Sequence, residues 1–321
     1  MKNNDTMEIN YGMEIVRATE IAALTAARQQ GLGDQDEILN QTRAALATTL
    51  NRLQIDGRLV NDRFRKRPET RQLPDKLGKG GAVMDLMGVA LEGHHAAAEG
   101  QGNVTSFAAI GPEGSITPVP NLNMQKIVVG PKAGQVIDIN QPPTVNIKRV
   151  ARALGKYTEN VTVCILNQAW HQRLIREVRN SGARIKLIEE GEISGCLAAI
   201  TGDKADIYIG QGYAPEGVMV AAAISCLGGY FEGRIYYGND QDRREASEAG
   251  ITTPDKVFRV EDLVVPRQVS FAATGITDGE FLEGVRFTSN GAITHSFVAR
   301  AATRTYRHLT TRHFFDHKPV F

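Results

Sequence analysis

The stretch from about residue 146 to residue 227 constrains the fold most, because short apolar runs alternate there with amphipathic segments. Residues 146–154 read as a helix, VTVCILN (161–167) as a strand, 168–181 as a helix and RIKLI (184–188) as a strand. A helix over 193–200, a strand at DIYIG (206–210) and a helix from Pro215 to about Leu227 complete the run. Parallel strands need a crossover, and a helix is the usual one. The alternation with short loops therefore predicts a parallel, doubly wound sheet.

The flanking regions are mixed. In residues 13–30, Ile15, Ala18, Ala22 and Ala26 recur at three- and four-residue spacing with Ile21 beside them, the pattern of one buried helical face. Gly31 and Gly33 end that helix, and a second, over 36–54, carries Leu39, Leu46, Leu50 and Leu53. IDGRLV (55–60) turns into a strand, and the polar, basic segment 61–81 with two prolines reads as an exposed loop. Strand patterns follow at 82–91, 103–111, 114–120 and 126–130, and again at 268–275, 285–290, 294–301 and 304–310. The organisation expected is a flexible tail (1–12), an N-terminal α+β half (13–140) and a C-terminal α/β half (141–321), packed as one unit with a cleft between the halves.

The net charge of +1 gives no global field for nucleic acid or a membrane surface. The longest apolar run, VMVAAAISCLGG (218–229), is too short to span a bilayer. Cys164, Cys196 and Cys226 sit among apolar or small residues without metal-ligand spacing, which predicts buried, reduced thiols and a cytoplasmic protein.

Five segments in order, GLGD (31–34), LEGHH (91–95), NMQKIVVGP (123–131), GYAPEGV (212–218) and AATGITDGEFLEGVRF (272–287), resemble the class II fructose-1,6-bisphosphatases, including those that also accept sedoheptulose-1,7-bisphosphate. The resemblance runs from about residue 13 to residue 313. It implies a layered α/β/α/β/α sandwich of the lithium-sensitive sugar and inositol phosphatase superfamily, magnesium- or manganese-dependent hydrolysis of a sugar 1-phosphate, and a homo-oligomer. Clustered carboxylates suit that chemistry, since they hold hard divalent cations that activate water and neutralise phosphate oxygens.

By the same resemblance, Asp34, Glu92 and Glu216 match metal-binding acids, while several family residues are replaced. The lysine after the first aspartate is Gln35, and two glutamates appear as Arg63 and Arg65. In the Asp-Pro-x-Glu-Gly-Thr motif the aspartate is Val89 and the threonine His94. Lys-x-Arg-His becomes Gln168-Ala169-Trp170-His171, Asp-Gly-Asp becomes Glu190-Gly191-Glu192, and Gly-Gly becomes Gly212-Tyr213. An arginine beside a divalent cation is repelled by roughly several kcal/mol even at an effective dielectric near 20. The expectation is therefore a catalytically impaired homologue with a structural or regulatory role and no cofactor, binding a sugar phosphate or a protein partner. Its ligand-facing candidates are Arg63, Arg65, His94, Tyr213, Glu190, Glu192 and Trp170. The alternative is an active fructose-1,6-/sedoheptulose-1,7-bisphosphatase with magnesium or manganese on Asp34, Glu92 and Glu216, and a third reading adds His94 and His95 as new metal ligands.

Each candidate has a plainer reading. Asp34 follows a Gly-x-Gly turn and suits a helix N-cap. Glu216 follows Pro215 at a helix start, where an acid is favoured by the dipole. Residues 63–67 read as a solvated loop, Trp170 as a hydrophobic plug closing the cleft, and His171 as a structural histidine.

Overall fold

The computed structural model describes residues 11–61 and 73–317. In chain order these form α1 (Tyr11–Gln29), α2 (Gln35–Leu50), β1 (Ile55–Asn61), β2 (Lys76–Leu77), β3 (Ala82–Glu92), α3 (His94–Ala98), β4 (Thr105–Pro112), β5 (Asn123–Val129), α4 (Pro143–Ala153), β6 (Thr162–Leu166), α5 (Gln172–Asn180) and β7 (Arg184–Ile188). There follow α6 (Glu192–Thr201), β8 (Ile207–Tyr213), α7 (Ala214–Leu227), β9 (Tyr230–Tyr236), α8 (Asp240–Glu248), α9 (Val260–Leu263), β10 (Ser270–Gly275), β11 (Arg286–Thr288), β12 (Gly291–Arg300) and β13 (Thr305–Phe314).

The layers follow from which helices are apolar on one face and which all round. α6 is buried from Glu192 to Ile200, and α7 is buried along nearly its whole length. A helix apolar on every side must be covered on every side, so the pair fills the middle of the molecule. One sheet, in the order β11-β12-β10-β4-β3-β1-β2 with β13 on β12, lies on one side, and a second, β7-β6-β8-β5-β9, lies on the other. Phe107, Phe271 and Phe297 of the first sheet and Met124, Val128 and Tyr208 of the second share one core with α6 and α7. α1 and α2 cover the first sheet's outer face through Ile15, Ala18, Leu46 and Leu50. Ile147, Val150, Ile175 and Val178 of α4 and α5 cover the second. The result is the α/β/α/β/α sandwich implied by the resemblance.

The strand details correct several expectations. In the second sheet β6 is parallel to β7 and β8, but β5 is antiparallel to both β8 and β9, so the sheet is mixed rather than fully parallel. β5, from the first half of the chain, lies in the second sheet, while β10 to β13 join β1 to β4 in the first. The two expected halves therefore do not coincide with the two sheets. Residues 114–120 are not a strand: Ile116 makes a single bridge to Val264, and Pro118 and Pro120 have no N–H to extend a ladder. Within the expected loop over 61–81, β2 pairs with β1, and residues 62–72 lie outside the described residues. Of the expected tail, residues 1–10 also lie outside them, and α1 already begins at Tyr11. No helix among the described residues is long and apolar enough to cross a membrane.

Candidate active site

A cleft of about 470 Å³ opens between the sheets, where β3, β6 and β8 end and α6 and α7 begin. Ligands in α/β sheets gather at the carboxyl ends of strands, and here two helix N-termini add positive dipole ends. The cleft is lined by Glu92, His94, Asn123, Gln168, Trp170, Glu189, Glu190, Glu192, Gln211, Gly212, Tyr213 and Glu216, among others. Five of these are acids. None of the described lining residues is lysine or arginine.

Glu92 ends β3 and is almost fully buried. Its Oε1 accepts the Ile193 N–H at 2.7 Å, and its Oε2 accepts the Ser194 N–H at 3.3 Å and the Ser194 hydroxyl at 3.1 Å. A strand-end carboxylate thus caps α6 from across the cleft. Burial and, behind it, the charge of Glu216 push its carboxyl up to about 8 against the opposing pull of those hydrogen bonds.

Glu192 opens α6. β5 alternates its faces, so Met124, Lys126 and Val128 point at the central layer while Ile127 and Val129 face outward. Lys126 is 1% exposed, and its Nζ donates to Glu192 Oε1 at 2.7 Å. The Tyr208 hydroxyl donates to the same oxygen at 3.1 Å. Glu192 Oε2 is buried without an N–H or hydroxyl donor, and the carboxyl lies against that of Glu216. Burial holds this carboxyl well above the usual range, Lys126 draws it down, and Glu216 raises it again. A Cβ on Gly212 would collide with Glu192 Oε2, so the residue before Tyr213 must be glycine for this carboxylate to lie where it does. Glu216, in the first turn of α7, accepts the Tyr213 backbone N–H at 3.2 Å and is also buried.

The loop carrying Glu190 and Glu192 is held from outside. Asn103 Nδ2 donates to the Glu190 carbonyl at 2.6 Å, its Oδ1 accepts the Glu280 N–H at 3.0 Å, and Glu190 Oε2 accepts the Ala96 N–H at 3.2 Å.

The structure thus gathers Glu92, His94, Glu190, Glu192, Tyr213 and Glu216 around one cleft, with Trp170 at its mouth. It does not bring Asp34 there. Asp34 is exposed, caps α2 by accepting the Glu37 N–H at 2.9 Å, and does not line the cleft. Among the described residues no three His, Cys, Asp or Glu side chains converge as a metal-holding group, so neither the trio Asp34, Glu92 and Glu216 nor a cage with His94 is assembled. His95 turns to Gln35, whose Nε2 lies 2.7 Å from its Nδ1. Trp170 is 62% exposed and forms a rim rather than the expected plug. His171 is the structural residue expected: its Nε2 accepts the Gln211 N–H at 2.8 Å, its Nδ1 faces the Leu166 carbonyl at 2.9 Å, and burial lowers its basicity. Arg63 and Arg65 lie outside the described residues.

Lys126, Tyr208, Ser194 and Asn103 escape a reading of the sequence alone. Only Lys126 carries a signal, as a charged residue at an inward position of the apolar strand NMQKIVV.

Three buried carboxylates, Glu92, Glu192 and Glu216, face one buried ammonium. That crowding, with the Glu216 carboxyl raising the proton affinity of Glu192, fits a divalent cation that would take the proton's place. Magnesium commonly takes only one or two carboxylates and fills its remaining positions with water and substrate phosphate. A dense protein cage is therefore not required.

The layer order and the carboxylate-lined cleft between the sheets are those of the metal-dependent sugar and inositol phosphatases. Within that class the chain belongs to the class II fructose-1,6-bisphosphatase family: the profile of the family described as bacterial fructose-1,6-bisphosphatase, glpX-encoded, matches residues 9–313. A D-fructose 1,6-bisphosphatase class 2/sedoheptulose 1,7-bisphosphatase of Synechococcus sp. (strain JA-2-3B'a(2-13)) is 34% identical over 97% of both chains. Proteins of the same description from Microcystis aeruginosa and Synechococcus elongatus are each 33% identical over 97% of this chain and 98% of their own.

Proposed function

We propose that the chain hydrolyses a phosphate monoester of a sugar bisphosphate of the fructose-1,6- or sedoheptulose-1,7- kind with a divalent cation bound in the cleft. The observation that carries this reading is the open, acid-lined cleft in which the buried Glu192 and Glu216 carboxyls lie against each other. Its volume lies in the range of about 300–1,000 Å³ common for small-ligand sites.

Glu192 and Glu216 would hold magnesium or manganese. Bound there, the cation would activate water and neutralise the phosphate oxygens. The chain's own residues prepare that arrangement. Lys126 and Tyr208 pin Glu192 through Oε1 and leave Oε2 turned toward Gly212 and the cleft. The Tyr213 N–H orients Glu216. Glu92 takes up the Ile193 and Ser194 N–H groups and ties the end of β3 to the start of α6. Asn123, Gln168 and Gln211 offer amides to sugar hydroxyls, and Trp170 offers a ring at the mouth. Without the cation, a phosphate dianion would meet five acidic side chains and no lysine or arginine among the described lining residues, so a bound metal would supply the missing positive charge.

A catalytically impaired chain, the main expectation from the sequence, draws support from Asp34 as an exposed cap and Glu92 as an internal one. The open cleft and the near full-length relatives favour the active reading. Phosphate release from fructose-1,6-bisphosphate and sedoheptulose-1,7-bisphosphate, measured with magnesium and with manganese, separates the two. Metal-dependent release lost in Glu216→Gln supports the proposal. Release no higher than that variant's background with either metal overturns it.

A further inference from the structure

α7 runs from the cleft to a second cavity of about 280 Å³, which its residues Ile224 and Ser225 help to line. Three arginines, Arg259, Arg267 and Arg304, share that lining. Arg259 is engaged, with Nη2 at 3.2 Å from Glu232 Oε1. Arg267 and Arg304 form no ion pair or side-chain hydrogen bond among the described residues. Both have left-handed backbones, with φ of 67° and 49°. Among the described residues Asn103 is the one other non-glycine residue with positive φ. Asparagine tolerates that region through its short polar side chain, whereas arginine gains nothing from it locally. The Ser225 hydroxyl is buried at this cavity without a hydrogen-bond partner.

We propose that this cavity is a binding site for a small phosphate monoester, separate from the catalytic cleft. The phosphate lies against Arg267 and Arg304, whose planar guanidinium forks match its oxygens. Glu261, which also lines the cavity, opposes a bare anion and instead accepts a hydroxyl of the ester's organic part. Ile224 and Phe231 give an apolar floor, and the Ser225 hydroxyl lies just beneath the cavity surface. The carbonyl end of α7 is slightly negative, and the guanidiniums offset it. The inference does not depend on the chain being catalytically active.

The test is calorimetric titration of the full-length protein with glycerol 2-phosphate in EDTA, where the acid-lined cleft repels a phosphate. Inorganic phosphate serves as a parallel probe. The expected result is saturable binding, tighter for glycerol 2-phosphate than for inorganic phosphate. It weakens at least tenfold in the double variant Arg267→Gly/Arg304→Gly and is unchanged in Glu216→Gln. Glycine accepts both left-handed positions, so the double variant should keep its thermal midpoint. Three results would each overturn the proposal: no saturable binding to the unaltered protein, equal binding to the arginine variant, or loss of binding in Glu216→Gln.

Discussion

The buried Glu92 makes stability depend on pH in a direction opposite to that of an ordinary salt-bridged acid. Its carboxyl is pushed from 4.5 to about 8 in the folded chain, while in the unfolded chain it titrates near 4.5. Between those values the folded state holds a proton that the unfolded state has lost. Stability therefore falls as pH rises through that window, and the stabilisation present below pH 4.5 is gone above about 8. Each tenfold change in proton affinity is worth about 1.4 kcal/mol, so the rise to about 8 removes on the order of 5 kcal/mol through this group alone. Glu92→Gln removes the titration but keeps an oxygen for the Ile193 N–H. Urea unfolding of both proteins in EDTA, from pH 5 to pH 9, reads the effect, because groups that do not interact with Glu92 cancel in the difference and, among the described residues, Glu216 is the charged neighbour that changes with it. The variant should gain on the parent as pH rises and be more stable by roughly a few kcal/mol at pH 9. A difference that stays flat, or that grows toward low pH, would refute the environment assigned to Glu92.

Other substitutions test other links. Lys126→Met strands the Glu192 carboxylate and should cost about 3–5 kcal/mol by urea unfolding. The double variant Lys126→Met/Glu192→Gln should recover most of that loss, and additive losses would deny the pairing. Gly212→Ala sets a methyl against Glu192 Oε2 and should lower phosphate release at least tenfold; unchanged release would show that this oxygen is not needed. Asp34→Ala should cost about 1 kcal/mol of stability as a lost helix cap and leave phosphate release intact, whereas its abolition would return Asp34 to the site. Trp170→Ala should raise KM for the sugar bisphosphate with little change in kcat, and equal values in both proteins would remove Trp170 from the mouth of the cleft.

Much of the fold was legible because burial writes itself into composition. CLAAI in α6 and VMVAAAISCL in α7 mark buried helices, but their place as a middle layer between two sheets came from the family resemblance and not from the pattern. Strand direction was not legible, since KIVVG reads equally well in a parallel or an antiparallel place. β9, with Glu232 and Gly233 inside YFEGRIY, carries too weak an apolar pattern to register as a strand. The site divides along a similar line. Glu92, Glu190, Glu192, Tyr213 and Glu216 sit in short local motifs at strand and helix ends, where chain order itself brings them to one rim. Asp34 sits in such a motif too, but its own helix claims its carboxylate. Lys126 meets Glu192 across 66 residues of chain, a partnership that depends on the position of β5 beneath α6.

The net charge of +1 conceals how strongly charge is sorted inside this molecule. Glu92, Glu192 and Glu216 all lie at the N-terminal ends of α6 and α7, where the helix dipoles favour negative charge. Those dipoles, with Lys126, let three carboxylates share a buried region that would otherwise force more of them to neutralise. Arg267 and Arg304 lie in the cavity at the opposite end of α7, where the dipole favours positive charge. From Glu216 to Ser225 the helix rises by about 14 Å at 1.5 Å per residue, and at an effective dielectric near 20 two unit charges that far apart interact by only about 1 kcal/mol. The two proposed ligands, a cation at one end and a phosphate at the other, would therefore not cancel each other. The packed helix between them separates the charges that an average over the whole chain reduces to nearly zero.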